Sequence, residues 1–311
     1  MLPGARLRLM ALKPSYTWHD TFAMPMGFPP SAFKSALEYE PAPGDFFIAT
    51  YPKCGTTWAQ HIVYLIAHRG VPVPATASLG ATIPHIEEVG AQAARDLVPP
   101  RTIKTHLPFA MAPYSEHARY LHITRNPFDC AVSFYHHTRG FPQHYNFTDG
   151  TFEEYFECFL AGEVDFGDYF DHLASWYTLE NAANCLFLTY EGMSTDPKAA
   201  VLAIGEFMGA DLINDEAVLT AVLKHSSFAS MSKDQQRWAS QRPDGMPAFV
   251  RKGRTGDWRN HFSPEQAARL LEKCERRLSS TKYVEQWSQL FDDVRRFLRG
   301  DGATTRGTNE H

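Results

Sequence analysis

Four clusters of cations, hydroxyls and bases in the sequence could do chemistry. The first is Lys53-Cys54-Gly55-Thr56-Thr57, where a glycine marks a sharp turn, with an ammonium before it and two hydroxyls after it. Such a segment suits an anion. Free N–H groups at a helix N-terminus and the helix dipole attract negative charge, and Lys53, Thr56 and Thr57 add donors. The alternative is an ordinary capped turn. The second cluster is Lys104-Thr105-His106, whose imidazole, near its ordinary pKa, can take a proton at neutral pH. The third is Arg125 with Ser133, which residue types alone would make a structural ion pair and a helix hydroxyl. The fourth is Arg251-Lys252-Gly253: either donors with close backbone approach that wrap a dianion, or a solvated basic turn.

Positioning these groups needs a scaffold, and the apolar pattern supplies one. The run 45–51 (DFFIATY) reads as a buried strand, followed by the turn and then by Ile62, Val63, Leu65 and Ile66 at helical spacing. Three more β-type runs, 101–105, 119–124 and 185–190, are separated by segments of helical pattern. Alternation of this kind predicts an α/β fold: a single domain over 45–299 with a central, mostly parallel sheet flanked by helices. Ligands of such sheets bind beyond the carboxyl ends of the strands. Those ends carry the Lys53 loop, Lys104-Thr105-His106, Arg125-Asn126-Pro127 and Tyr190-Glu191. Helix starts are announced by Thr151 with Glu154, by Asp196 before Pro197, and by Ser263 with Pro264 and Gln266; Gly209 reads as a helix stop. Residues 1–44 read as an irregular entry segment and 300–311 as a disordered tail.

Composition narrows the function. Apolar residues at 44% and charged residues at 21% support a packed core and argue against general disorder. A net charge of −5 disfavours capture of nucleic acid or an anionic membrane, so any anion site must be local. Five cysteines without a CxxC pair suggest neither a disulfide framework nor a zinc site, and reduced thiols fit the cytoplasm. No apolar run has the length of a signal peptide or a membrane span, and no ligand cluster calls for a metal.

The anion loop is not the GxxxxGK[ST] pattern of P-loop kinases, because its lysine precedes the glycine. TYPKCGTTW (50–58) instead resembles the 5′-phosphosulfate loop of the cytosolic sulfotransferases, YPKSGTTW, with Cys54 in place of serine. The resemblance continues through Lys104-Thr105-His106-Leu107-Pro108 (family KTHLP) and Arg125-Asn126-Pro127-Phe128-Asp129 to Ser133 (RNPxDxxVS). It resumes at Tyr190-Glu191 and at Arg251-Lys252-Gly253 with Gly256-Asp257-Trp258 (RKGxxGDW). It implies a P-loop-like site for 3′-phosphoadenosine 5′-phosphosulfate (PAPS), with adenosine 3′,5′-bisphosphate (PAP) as product and no metal. By resemblance Lys53 to Thr57 hold the 5′-phosphosulfate, and Arg125, Ser133, Phe249, Val250, Arg251, Lys252 and Gly253 surround the 3′-phosphate. Trp58 and Phe228 flank the adenine, Tyr190 meets its edge, and Ser226 lies near the 3′-phosphate. His106 becomes the general base, assisted by Lys53 and Lys104.

The acceptor would be a small organic hydroxyl or amine. Where the family often carries aromatic residues this chain has His85, Glu87 and Glu88, and further on His136 and His137, a polar lining that suits a phenol bearing an ammonium, such as a catecholamine-like acceptor. The entry segment should contribute to that pocket. The family's dimer motif KxxxTVxxxE aligns with Arg259, Ser263-Pro264 and Ala268, which predicts a monomer or weak homodimer. A nucleotide kinase would need GK[ST] and a metal-holding Asp, and a non-catalytic nucleotide-binding module would need no His106.

Overall fold

The computed structural model describes residues 11–74, 76–233, 238, 248, 250–253 and 255–301. Its first regular elements lie inside the segment that the sequence suggests is irregular. Strands β1 (Tyr16–His19) and β2 (Phe22–Pro25) form an antiparallel hairpin turned at Asp20, and helix α1 (Pro30–Leu37) follows. The prolines that argue against regular structure sit where they are tolerated. Pro30 occupies the first helical position, whose N–H would have no partner anyway.

The central sheet has four strands, β3 (Phe46–Thr50), β4 (Thr102–Thr105), β5 (Arg119–Thr124) and β6 (Cys185–Thr189), in the order β4-β3-β5-β6, and every pairing is parallel. All five residues of β3 are buried, as expected of a strand covered by helices on both faces. Register aligns the strand ends: Ala49 pairs with Thr105, Thr50 with Ile123, and Thr124 with Thr189. The four segments that follow them therefore emerge along one rim.

Strands β3, β5 and β6 each lead into a helix whose start is chemically marked, whereas β4 reaches β5 through a loop without the helix that the sequence pattern suggests. Helix α2 (Thr56–Ala67) begins at Gly55, Asn126 caps the helix Pro127–Gly140, and Thr151 with Glu154 closes a capping box on Phe152–Ala161. Asp196 caps Pro197–Met208, which ends at the left-handed Gly209, and Ser263 with Gln266 forms a second capping box on Pro264–Leu278. Leu65 and Ile204 pack with Ile48 and Leu121 on one face of the sheet, Phe47, Ala49 and Tyr120 join a core on the other face, and Phe134 lies in a third core that takes in Tyr51 just past β3. Each such side chain removed from water contributes about 1.5–3 kcal/mol, which holds the rim rigid beneath its loops. Among the described residues, no helix is long and apolar enough to cross a membrane.

Candidate active site

The turn from β3 into α2 is bent by two left-handed residues, Lys53 (φ 68°) and Gly55 (φ 97°). Gly55 is the N-cap and no side chain caps the helix, so the first N–H groups of α2 point outward unclaimed by side chains. A Cβ on Gly55 would lie 3.0 Å from the Tyr190 ring, so only glycine lets the β6 end close on the loop. Arg125 locks the turn from the β5 end: its Nη1 donates to the Lys53 carbonyl at 3.2 Å and its guanidinium stacks 4.3 Å from the centre of the Tyr190 ring. Lys53 Nζ lies 3.4 Å from His137 Nδ1. Trp58 meets Tyr190 edge-on at 5.7 Å. Thr56 is buried with its hydroxyl 2.6 Å from that of Thr50, and Thr57 is half-buried at the mouth of the turn. The Cys54 thiol faces backward, fully buried, 3.9 Å from Cys130 Sγ and 3.9 Å from the Pro52 carbonyl.

His106 leaves β4 directly beside this turn. Its Nδ1 lies 2.7 Å from the Thr50 carbonyl, an oxygen that can only accept, so Nδ1 carries the hydrogen and Nε2 carries the lone pair. Burial pushes the imidazole well below its usual pKa, and the nearby Lys104 and His85 add to this, so the ring is neutral at neutral pH. The main chain here is held by Glu87. One of its carboxylate oxygens accepts from the Thr105 hydroxyl, from His106 N–H at 2.7 Å and from Leu107 N–H at 3.1 Å. Burial pushes that carboxyl up, but His85 and these donors outweigh it and hold it below the ordinary range.

A second bank, in the 251–257 segment, is tied through the Gly256 N–H to Asp129. Arg251 and Lys252 both bond the buried Asp257, which Asn260 also reaches at 2.9 Å. Burial raises the Asp257 carboxyl, but Lys252 and Arg251 overcome this and leave it well below the usual carboxylate range. Gly253 (φ 59°) carries no side chain because the Phe228 ring occupies that space: a Cβ would come within 2.1 Å of it. Phe228 is 43% exposed, an open aromatic face beside the bank. Half-buried Ser133 lies on the helix that Asn126 caps. The Ser226 hydroxyl donates to Val222 within its own helix at 2.7 Å. Val250 is half-buried, and Phe249 lies outside the described residues.

The side of His106 away from the turn, where the sequence suggests an acceptor pocket, gathers groups from several segments. His85 bridges Glu87 at 3.1 Å and Glu88 at 3.3 Å, and its ring lies 4.9 Å from that of His106. The bond from His85 takes the Glu88 carboxyl down to about 2. Lys104 lies next to both glutamates, and burial lowers its pKa despite them. Phe166, at φ 62°, places its ring 5.1 Å from His106. The hairpin reaches this side too, since Phe166 N–H donates to the Ala23 carbonyl at 2.9 Å.

The chain that carries this uncapped helix start and neutral imidazole has known relatives. The profile for the sulfotransferase domain matches residues 43–282. Human sulfotransferase 1C2 is 35% identical over 258 residues, covering 78% of this chain and 86% of the relative. The chain belongs to the cytosolic sulfotransferase family. Mouse sulfotransferase 2B1 is 36% identical over 72% of this chain and 68% of its own length. In fold, the sulfotransferase superposes on mouse sulfotransferase 7A1, solved with PAP, with a TM-score of 0.71 at 24% identity, covering 91% of this chain and 99% of that one. It also superposes on retinol dehydratase, solved with androsterone and PAP, with a TM-score of 0.70 at 22% identity, over 81% and 86%.

Membership makes the chain a PAPS-dependent enzyme, and its residues fit that donor. The outward N–H groups, the glycine-only approach at Gly55 and the buried, unpartnered Nε of Arg125 are the features an anionic nucleotide would satisfy. Several contributors to the sulfotransferase site carry no motif that announces them. The Thr50 carbonyl sets the tautomer of His106, and a carbonyl has no residue-type signature. Glu87 is an anchor beneath the end of β4 rather than an open pocket carboxylate. Phe166 betrays itself only by its left-handed backbone, which no spacing rule detects.

Proposed function

We propose that this sulfotransferase moves a sulfuryl group from PAPS to the hydroxyl of a small phenolic amine by in-line displacement, with His106 as the general base. The observation that carries the reading is the bond from His106 Nδ1 to Thr50, which leaves the Nε2 lone pair as the proton acceptor. Bound PAPS supplies the sulfuryl group and a phosphate leaving group. Lys53 and the first N–H groups of α2 stabilise the charge that grows on that phosphate. Arg125, Ser133, Arg251, Lys252 and Gly253 hold the 3′-phosphate with Ser226 near it, while Trp58, Tyr190 and Phe228 frame the adenine. Lys104 orients the acceptor oxygen, with His85, Glu88 and His137 lining its pocket. Because burial keeps His106 neutral, it is ready to accept a proton without first losing one.

Five free cysteines suit a reducing compartment, the cytoplasm, and the altered dimer motif suits a monomer or weak homodimer. The decisive experiment replaces His106 with Ala and measures both PAP affinity by titration calorimetry and sulfuryl transfer to 4-nitrophenol. Turnover falls by about 100-fold or more while PAP binds as before. Near-normal turnover in that variant would sink the assignment.

A further inference from the structure

The polar acceptor side holds carboxylates in very different states. One Glu87 oxygen takes Thr105, His106 and Leu107, and the other makes no hydrogen bond among the described residues but lies 3.1 Å from His85 Nε2 as an ion pair. Glu88 is paired with the same imidazole and its side chain is 48% exposed, so water competes for what remains of it. Asp165 differs from both. It is 1% exposed, its Oδ2 accepts from the Tyr145 hydroxyl at 2.8 Å, and its Oδ1 is buried with no hydrogen-bond partner among the described residues. A buried carboxylate oxygen left without a donor is costly unless something supplies one.

Its place in the fold connects it to the site. Asp165 precedes Phe166, whose ring lies 5.1 Å from that of His106 and 6.0 Å from that of His85. The turn is strapped down by Phe166 N–H to Ala23 and by the Tyr51 hydroxyl to the Gly167 carbonyl at 2.9 Å. Tyr145, which donates to Asp165, packs its ring 5.7 Å from that of His137, which in turn meets Lys53. The charges of His85 and Lys53 both act on the carboxyl. The phenols of Tyr16, Tyr51 and Tyr155 also interact electrostatically with it.

We infer that Asp165 is the specificity-determining carboxylate of the acceptor site, receiving the ammonium group of a phenolic amine on its buried Oδ1, which has no hydrogen-bond partner among the described residues. The inference rests on the amine-acceptor reading above and names the group that enforces it. Burial raises the Asp165 carboxyl to about 7, with Tyr145 holding it from rising further. The group is therefore largely protonated below neutrality and ionised above it. An ammonium is attracted only to the ionised form, so preference for amines strengthens as pH rises through that value.

The test uses the full chain with PAPS and two acceptors of matched shape, tyramine and 4-propylphenol, and reads the ratio of their kcat/KM values. In the wild type this ratio favours tyramine and climbs between about pH 6 and about pH 8. Asp165→Asn lowers the ratio about tenfold or more and flattens its pH dependence, as expected for loss of a charge-assisted hydrogen bond. Tyr145→Phe keeps the carboxylate but removes its donor, so the climb moves to higher pH; this variant carries the test if Asp165→Asn folds poorly. A wild-type ratio that favours tyramine but is unchanged in Asp165→Asn overturns the role of Asp165 alone. A wild type that sulfonates 4-propylphenol and not tyramine overturns the amine reading and this inference with it.

Discussion

Asp129 Oδ2 accepts the Gly256 backbone N–H at 2.7 Å, joining two motifs 127 residues apart. Its other oxygen takes the Trp258 N–H at 3.1 Å, and Asn126 Nδ2 completes the set at 3.0 Å. The buried carboxylate thus fixes the segment carrying Arg251 and Lys252 to the helix that begins just after Arg125. Replacing Asp129 with Ala strands buried donors and should cost about 2–4 kcal/mol in urea unfolding. PAP affinity should fall more than acceptor affinity. Equal losses for both ligands would show that the clamp does not serve the nucleotide bank.

Arg251→Ala should weaken PAP about 10- to 100-fold, the usual scale for a charge-assisted contact, with little change in acceptor KM. Calorimetric titration decides it. Unaltered PAP affinity would mean that Arg251 does no more than neutralise Asp257.

The depressed pKa of His106 has a kinetic signature. A general base acts only when unprotonated, and here that form persists well below the usual 6.5. With a neutral phenol as acceptor, kcat should show no fall through pH 6.5 as the medium is acidified, and the acid limb should appear only at lower pH. A half-maximal point at pH 6.5 would mean that the imidazole is solvated during turnover.

Glu87 links the site to acid stability. Its folded pKa is depressed, so the stabilisation it provides is complete above the unfolded carboxyl pKa, about 4.3, and is lost as pH falls through the folded value. Glu87→Gln should therefore destabilise at pH 7 by more than it does in acid, as read by urea midpoints at the two pH values. A difference that does not vary with pH would contradict the pairing with His85.

Gly55→Ala tests the loop itself. The left-handed backbone costs an alanine about 1–2 kcal/mol, and its methyl group would press on Tyr190 at 3.0 Å. Turnover and PAP affinity should fall together, because the outward N–H groups and the Tyr190 face would shift as one.

Much of this was legible in the residues. The strand ends, the capping boxes at Thr151 and Ser263, the stop at Gly209 and the loop at Lys53 are all local patterns, and local patterns survive in one dimension. The hairpin of β1 and β2 was not, since four-residue strands among prolines carry little periodic signal. Nor were the partners of His106 and Asp165. Those depend on contacts between segments far apart in the chain: Thr50 with His106, Glu87 with Leu107, Tyr145 with Asp165. The backward-facing Cys54 thiol is a further case, because spacing identifies the loop but not the direction of a side chain within it.

Thr50 ends β3, feeds the anion-binding turn and also tethers the imidazole through its carbonyl. The proposed reactive parts are therefore mounted on a single stiff bracket, whereas the surfaces proposed to judge the incoming molecule, at residues 23–26 and 165–167, belong to other segments. Rebuilding those surfaces would retarget the catalyst without realigning it, so new acceptor preferences should be obtainable by exchanging loops alone.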